Sequence, residues 1–522
     1  MNRPDAPADT KGTDQLNEFI PANDTLVAVP RPDGIHTKRR QGGSPVKTQI
    51  QKTVMALAAA VATMLPGMAF AAGAGAPHLD GALLGGLWAV PFACMLLSIA
   101  VFPLVAPHFW HHHFGKVSAF WGLAFLVPFA LKFGASLALY EVLHTLLLEY
   151  IPFIILLFAL FTVAGGVRLT GSLVGTPMVN TLLLAIGTVL ASWMGTTGAA
   201  MLLIRPLLRA NAHRKFKVHS VVFFIFLVAN IGGSLTPLGD PPLFLGFLKG
   251  VSFFWTTVHL LPPMLLVSVL LLAVFFALDT VLFGKEGRPV PPQQDSGEKL
   301  GLEGRVNLLL LGGVVAAVLM SGFWKPGVEF VVYHVPVELQ NIVRDIVLLV
   351  IAGLSLKLTD PVSRIKNDFS WGPIAEVAKL FAGIFVSMIP AIAILKAGES
   401  GALRSVIQMV THDGQPVNVM YFWLTGLLSS FLDNAPTYLV FFNTAGGDAA
   451  HLMHDMAQTL LAISAGAVFM GANTYIGNAP NFMVRSIAEE QGVKMPSFFG
   501  YMAWSCGILV PSFILVTLVF FM

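Results

Sequence analysis

The sequence predicts an all-α polytopic membrane protein made of two inverted repeats, each with a re-entrant hairpin and a broken transmembrane helix. Three observations carry that expectation. Of 522 residues, 55% are hydrophobic and only 11% charged, against roughly 25% charged in soluble domains. Twelve long apolar runs fall six and six around a single polar linker. Two interrupted windows of the first half also recur in the second at one constant spacing of 238 residues.

Residues 1–52 are polar, with the basic cluster Lys38, Arg39 and Arg40. Lacking apolar periodicity, they are expected to be a disordered extension. Residues 53–74 have the basic, apolar and small-residue regions of a secretory signal or a retained anchor, which puts residue 75 on the outer side. Repeat 1 then covers 75–283, with apolar runs near 83–106, 117–135, 138–165, 178–204, 218–248 and 253–283. A cytoplasmic linker, 284–305, carries Pro289, Pro291 and Pro292 among mixed charges. Repeat 2 covers 306–522, with runs near 306–323, 341–356, 372–395, 420–442, 458–487 and 498–521. At about 20 residues per span most of these are long enough to cross. The fourth, fifth, tenth and eleventh are broken by polar or Gly/Pro clusters.

The deepest break is 230–244, N-I-G-G-S-L-T-P-L-G-D-P-P-L-F, with three glycines, three prolines and one acid between apolar runs. Proline removes a backbone donor and glycine loosens the chain, so helix cannot continue and peptide groups are freed. At membrane depth such backbone is tolerated where it is buried in protein or lines a cavity. Residues 236–244 align with 474–482, and 192–199 with 430–437, both at 238. Matched interruptions in two halves are the sequence mark of a transporter's central site.

Placing residue 75 outside, with runs four and ten as hairpins, assigns sixteen Lys and Arg to cytoplasmic loops and six to outer ones. That bias follows the positive-inside rule and sets the halves in opposite senses. The formal net charge of +3 is uninformative about partners and calls for no nucleic acid. Cys94 and Cys506 both lie in apolar runs, so neither a disulfide nor a zinc site is expected.

Hairpin tips 195–198 and 433–437 and breaks 232–242 and 473–481 should converge. Oxygens of Thr196, Thr197, Thr236, Thr437, Asn434, Asn473, Thr474 and Asn478 are hard ligands suited to a small cation, while half-helix N-termini favour an anion. Asp240 and Asp433 are the acids of the set, and their counterparts one repeat away are the neutral Asn478 and Gly195. An acid at this depth is a functional candidate whose carboxylate a proton and a metal ion would contest. Either acid could instead cap a half-helix, with Pro241 as first helical residue.

The pattern N-I-G-G-x-x-T-x-x-G-D-P-P with a later L-D-N-x-P-T resembles the ion-transporter superfamily, and residues 75–522 resemble its branch of sodium/proton antiporters and citrate transporters. The resemblance implies hairpins and broken helices meeting at a central site, often in a homodimer. Dicarboxylate carriers of that superfamily typically have Ser-Asn-Thr at both tips. Here the tips read Gly195-Thr196-Thr197 and Asp433-Asn434-Ala435, which favours cation exchange. The expectation is a non-enzymatic sodium or lithium/proton antiporter of a bacterial-type inner membrane, with no cofactor beyond the transported Na+ and H+. Its partners would be the cation and the lipid bilayer. A sodium- or proton-coupled citrate or dicarboxylate symporter is the alternative. The run 107–113, with four histidines, reads as an interfacial belt or a pH or metal site, and Glu141, Glu149 and Glu376 as interfacial acids or a proton path.

Overall fold

The computed structural model describes residues 77–171, 173–289 and 301–522. The extension and the signal-like segment lie outside the described residues. The described chain is an all-α polytopic membrane protein. Among the described residues nine helices are long and apolar enough to cross a bilayer, by length and composition.

The first half runs α1 (Val90–Val105), α2 (Pro107–Phe133), α3 (Ala135–Ala164), α4 (Pro177–Met194), α5 (Thr196–Ala210), α6 (Val218–Leu227), α7 (Pro241–Leu248) and α8 (Phe253–Lys285). The second half runs α9 (Val306–Phe323), α10 (Leu339–Leu358), α11 (Pro361–Lys366), α12 (Gly372–Lys396), α13 (Arg404–Val410), α14 (Asn418–Phe431), α15 (Asn434–Thr444), α16 (Ala449–His454), α17 (Ala457–Met470), α18 (Ala479–Glu490) and α19 (Phe498–Phe520). Run four thus becomes the pair α4/α5 and run ten the pair α14/α15. Runs five and eleven become the broken helices α6–α7 and α17–α18.

Three two-stranded antiparallel ladders complete the fold. Arg168–Thr170 pairs with Gly301–Glu303, Glu329–Val332 with Val335–Glu338, and Thr411–His412 with Gln415–Pro416. The first fastens the end of the linker to the end of α3, where Arg168 and Glu303 form an ion pair at 3.2 Å.

Local sequence sets the interruptions. Gly195, between α4 and α5, has φ +80°, a conformation an L side chain resists. In the breaks the backbone doubles back on itself so closely that a Cβ on Gly239 would lie 2.1 Å from the Gly233 carbonyl oxygen, and one on Gly477 2.6 Å from that of Gly471. The contact repeats at the same spacing of 238, as do hydrogen bonds. The Thr236 hydroxyl donates to the Ser192 carbonyl and the Thr474 hydroxyl to that of Ser430. The Ser192 hydroxyl reaches Gly232 O at 2.5 Å and the Ser430 hydroxyl Met470 O at 3.0 Å. Each break is therefore riveted to its own hairpin in the same way.

Packing is reciprocal between halves. α7 packs on α15 while its counterpart α18 packs on α5, and α3 packs on α10 while α2 packs on α12. Contacts exchanged in this manner are what a two-fold relation between similar units generates. The main core runs through these junctions, with Phe223 to Ala229 of α6 and its extension and Ala462 to Met470 of α17 nearly all inaccessible.

The histidine run occupies the first turns of α2, which starts at Pro107 because proline fits a first helical position. His112 and His113 turn back to the carbonyls of His108 and Phe109 at 2.9 and 3.1 Å. Among the described residues no group of three or more His, Cys, Asp or Glu is arranged to hold a metal ion.

Candidate functional site

The Gly/Pro break brings the chain to Asp240 just before α7, in the position of an N-cap, yet its side chain makes no capping bond. The carboxylate turns into the protein interior and is 1% exposed. Oδ1 accepts from Asn478 Nδ2 at 3.0 Å and from the Thr196 hydroxyl at 3.3 Å, and Oδ2 accepts from Asn434 Nδ2 at 2.5 Å. Thr196 belongs to the first hairpin tip, Asn434 to the second and Asn478 to the second break. All four interrupted elements therefore meet at one carboxylate. Hydrogen bonds to a charged group are worth about 1.5–3 kcal/mol each, and these three hold the carboxylate in place.

Among the described residues no Lys, Arg or His lies within ion-pair distance of the Asp240 carboxylate. Two further acceptors stand open. The amide oxygens of Asn434 and Asn473 are buried without a hydrogen-bond partner. A cavity of about 100 Å³ adjoins the carboxylate, lined by Thr196, Thr197, Asp240, Pro241, Phe244 and Pro480, with α3 and α12 closing its sides.

Asp433 behaves differently. It is half-buried, and its carboxylate accepts from Ala435 N at 3.0 Å, capping α15. Capping, raised for both acids, therefore describes Asp433 and not Asp240. Thr437 donates to the Asp433 carbonyl at 2.9 Å, within its own helix. Thr236 and Thr474 are the rivets described above. Asn473 uses its amide nitrogen on the Ser430 hydroxyl at 2.9 Å, leaving its oxygen free, and Thr197 stays on the cavity wall. The structure thus gathers Asp240, Thr196, Asn434 and Asn478 at one point, and assigns Thr236, Thr474 and Thr437 to holding backbone.

Two groups were not singled out from the sequence. Asn230 and Asn481 join the halves, Nδ2 of the first donating to Oδ1 of the second at 2.7 Å. Asn481 in turn donates to Gly471 O and Thr474 O, at 2.8 and 2.9 Å. Asn481 stands in an aligned window and Asn230 opens the first break, signals that could have marked them. At the open end of the first hairpin, Asp279 of α8 accepts from Arg214 at 2.6 Å, His219 at 2.9 Å and Asn180 at 2.9 Å. Arg214 also reaches Glu286 at 3.4 Å. The side chains of Arg214 and Asp279 are fully buried, and nothing in local composition announced the pairing.

A family profile described as "Putative citrate transport" matches residues 81–521. The chain belongs to this family. Within the citrate transport family it is similar to a 46 kDa membrane protein of Mycobacterium leprae, 26% identical over 345 residues, or 65% of this chain and 76% of that one. It is also similar to uncharacterized transporters of Mycobacterium bovis and Mycobacterium tuberculosis, each 25% identical over 331 residues, or 62% of this chain and 72% of the relative. This member of the citrate transport family is accordingly a multi-pass membrane transporter and not an enzyme.

Proposed function

We propose that the chain is a secondary transporter that exchanges sodium or lithium for protons by alternating access across a bacterial inner membrane. The observation that carries this reading is the buried carboxylate of Asp240, held by donors from three other elements and, among the described residues, in no ion pair. An ionised acid at this depth is costly unless something positive joins it. A metal ion, completed by the open oxygen of Asn434, and a proton are alternative ways to supply that charge. Because one carboxylate serves both, loading one displaces the other, which is the condition for exchange. Repeats inserted in opposite senses would let the same site face either side in turn.

Everted vesicles energised by respiration test the reading: sodium or lithium should collapse the pH gradient, and Asp240→Asn should abolish the response. Asp433→Asn should retain it, since asparagine caps a helix about as well as aspartate. A full response from Asp240→Asn would end the assignment.

A specific feature favours a second reading, uptake of citrate or a related carboxylate. The side chains of Asp240 and Asn478 do not cap their helices; α7 opens on Pro241 and Pro242, which carry no N–H, so it is the first turn of α18, with its Ala479 amide and helix dipole, that would favour an anion. A cation on Asp240 would then remove the repulsion a carboxylate substrate meets there, making the two co-transported. Labelled citrate accumulating under a sodium gradient, without sodium-dependent proton release, would select this mode.

A further inference from the structure

A second cavity, of about 360 Å³, lies where α3 begins and where α7 and α12 end, on the face assigned to the outside. Titratable groups reach it from four separate segments: His78 before α1, Glu141, His144 and Glu149 from α3, Lys249 after α7, and Lys396 from α12. Glu149 sits on the turn Leu146–Tyr150, the single π-helical turn among the described residues. Such turns are rare and recur at functional sites. Here the turn delivers a 9% exposed glutamate to a lysine on another element, Lys249 Nζ to Glu149 Oε1 at 2.5 Å. Lys396 lies within Coulombic reach of Glu149, Glu141 and Lys249, and has no ion-pair partner within 4 Å among the described residues. Other charges nearby are already engaged. Asp80 caps the turn Gly81–Leu83, and Glu338, on a strand packed against the π turn, accepts from Gln340 and Asn341.

The cavity connects to the carboxylate by two helices lying side by side. α7 starts beside Asp240 and runs eight residues to Leu248, just before Lys249, a length of about 12 Å. α15 starts at Asn434, which binds Asp240, and reaches the cavity with Leu439 and Asn443. In the seam between them lies the Tyr438 hydroxyl. It fits because residue 246 is glycine, where a Cβ would come within 2.4 Å of that oxygen.

Resting on the exchange reading above, we propose that this cavity is the outer proton port of the transporter, with Glu149 the group that passes protons between the outside water and the seam leading to Asp240. Acids and bases of nearly balanced charge around a water-sized space suit proton transfer better than retention of an ion of either sign. The Lys249 ammonium positions the glutamate. Lys396 offers a second cation when a proton or a movement of α7 disturbs the pair. The proton is neither created nor consumed, only carried from one carboxylate to the next.

Purified protein in liposomes containing a pH-sensitive dye, driven by a sodium gradient, reads the flux. Glu149→Gln should slow sodium-dependent proton movement about tenfold or more, the scale of losing one positioned proton carrier, and should flatten its dependence on outside pH. Sodium-dependent thermal stabilisation should persist, because Asp240 is untouched, and it reports folding as well. The charge-balanced Glu149→Gln/Lys249→Gln variant should be as slow as the single one. Wild-type flux in Glu149→Gln, or recovery in the double variant, would overturn the port and leave a purely structural ion pair. A wild-type protein without sodium-dependent flux would overturn the exchange reading itself, and the port with it.

Discussion

Asp240 and Asn478 occupy the same position in the two halves and touch each other through a 3.0 Å hydrogen bond. One residue carries a carboxylate and the other donates to it, and this difference makes a nearly symmetric junction asymmetric. The asymmetry was legible in the sequence, because an acid between glycines and prolines in an apolar run has few ordinary explanations. Its partners were legible as a set of polar residues but not as a geometry. The same limit hid Asn230 and Asn481, whose hydrogen bond spans 251 positions and which local pattern cannot pair. Asn230→Ala would strip Asn481 Oδ1 of its donor inside the core. A buried group left unpaired costs about 1–3 kcal/mol, so the variant should unfold at a lower temperature in detergent, measured by intrinsic tryptophan fluorescence. Unchanged unfolding would mean that water replaces the lost amide.

The interrupted elements show a different balance. Their existence and spacing were readable, since each break mixes several glycines or prolines with polar residues over a short stretch, whereas the isolated pair Pro262 and Pro263 stays inside a helix. That each break is riveted to its neighbouring hairpin by a threonine hydroxyl was not, because Thr236 and Thr474 offer oxygens equally suited to an ion. Backbone won them, as freed carbonyls at membrane depth must be satisfied first. The two hairpins also turn by different means. The first uses Gly195 at φ +80°, and the second uses Asp433 at φ −58° with its side chain as cap. Gly195→Ala should therefore cost about 1–2 kcal/mol of left-handed strain and move Thr196 relative to Asp240. The expected outcome is a raised apparent Km for sodium in the vesicle assay, with protein still reaching the membrane.

For the molecule as a whole, the apolar runs were enough to give the class, an all-α polytopic membrane protein. They could not reveal how the loops are fixed, and Arg214 illustrates why. Counted as one loop charge among several, it is instead sealed against Asp279 and Glu286. Asp279→Asn would leave a buried guanidinium short of its nearest carboxylate, a loss of about 3–5 kcal/mol when such a pair is broken. The loop following α5 should then loosen. Trypsin added to everted vesicles should cleave the variant near Lys215 and Lys217 faster than the wild type, and intact spheroplasts should protect both. Cleavage from the outside would reverse the assigned sidedness.

The short ladder between Arg168–Thr170 and Gly301–Glu303 has a consequence for heredity. The first half also grips the second at Asn307, just after the ladder, and at Arg364 on α11: Asn307 donates to Gly166 O at 3.1 Å and Arg364 to Thr162 O at 2.9 Å. The second half is thus held by the first through contacts that do not pass along the chain between 290 and 300. Two open reading frames, divided within that interval and expressed together, should assemble into a working transporter. A fused gene of this kind would then keep the means of living as two.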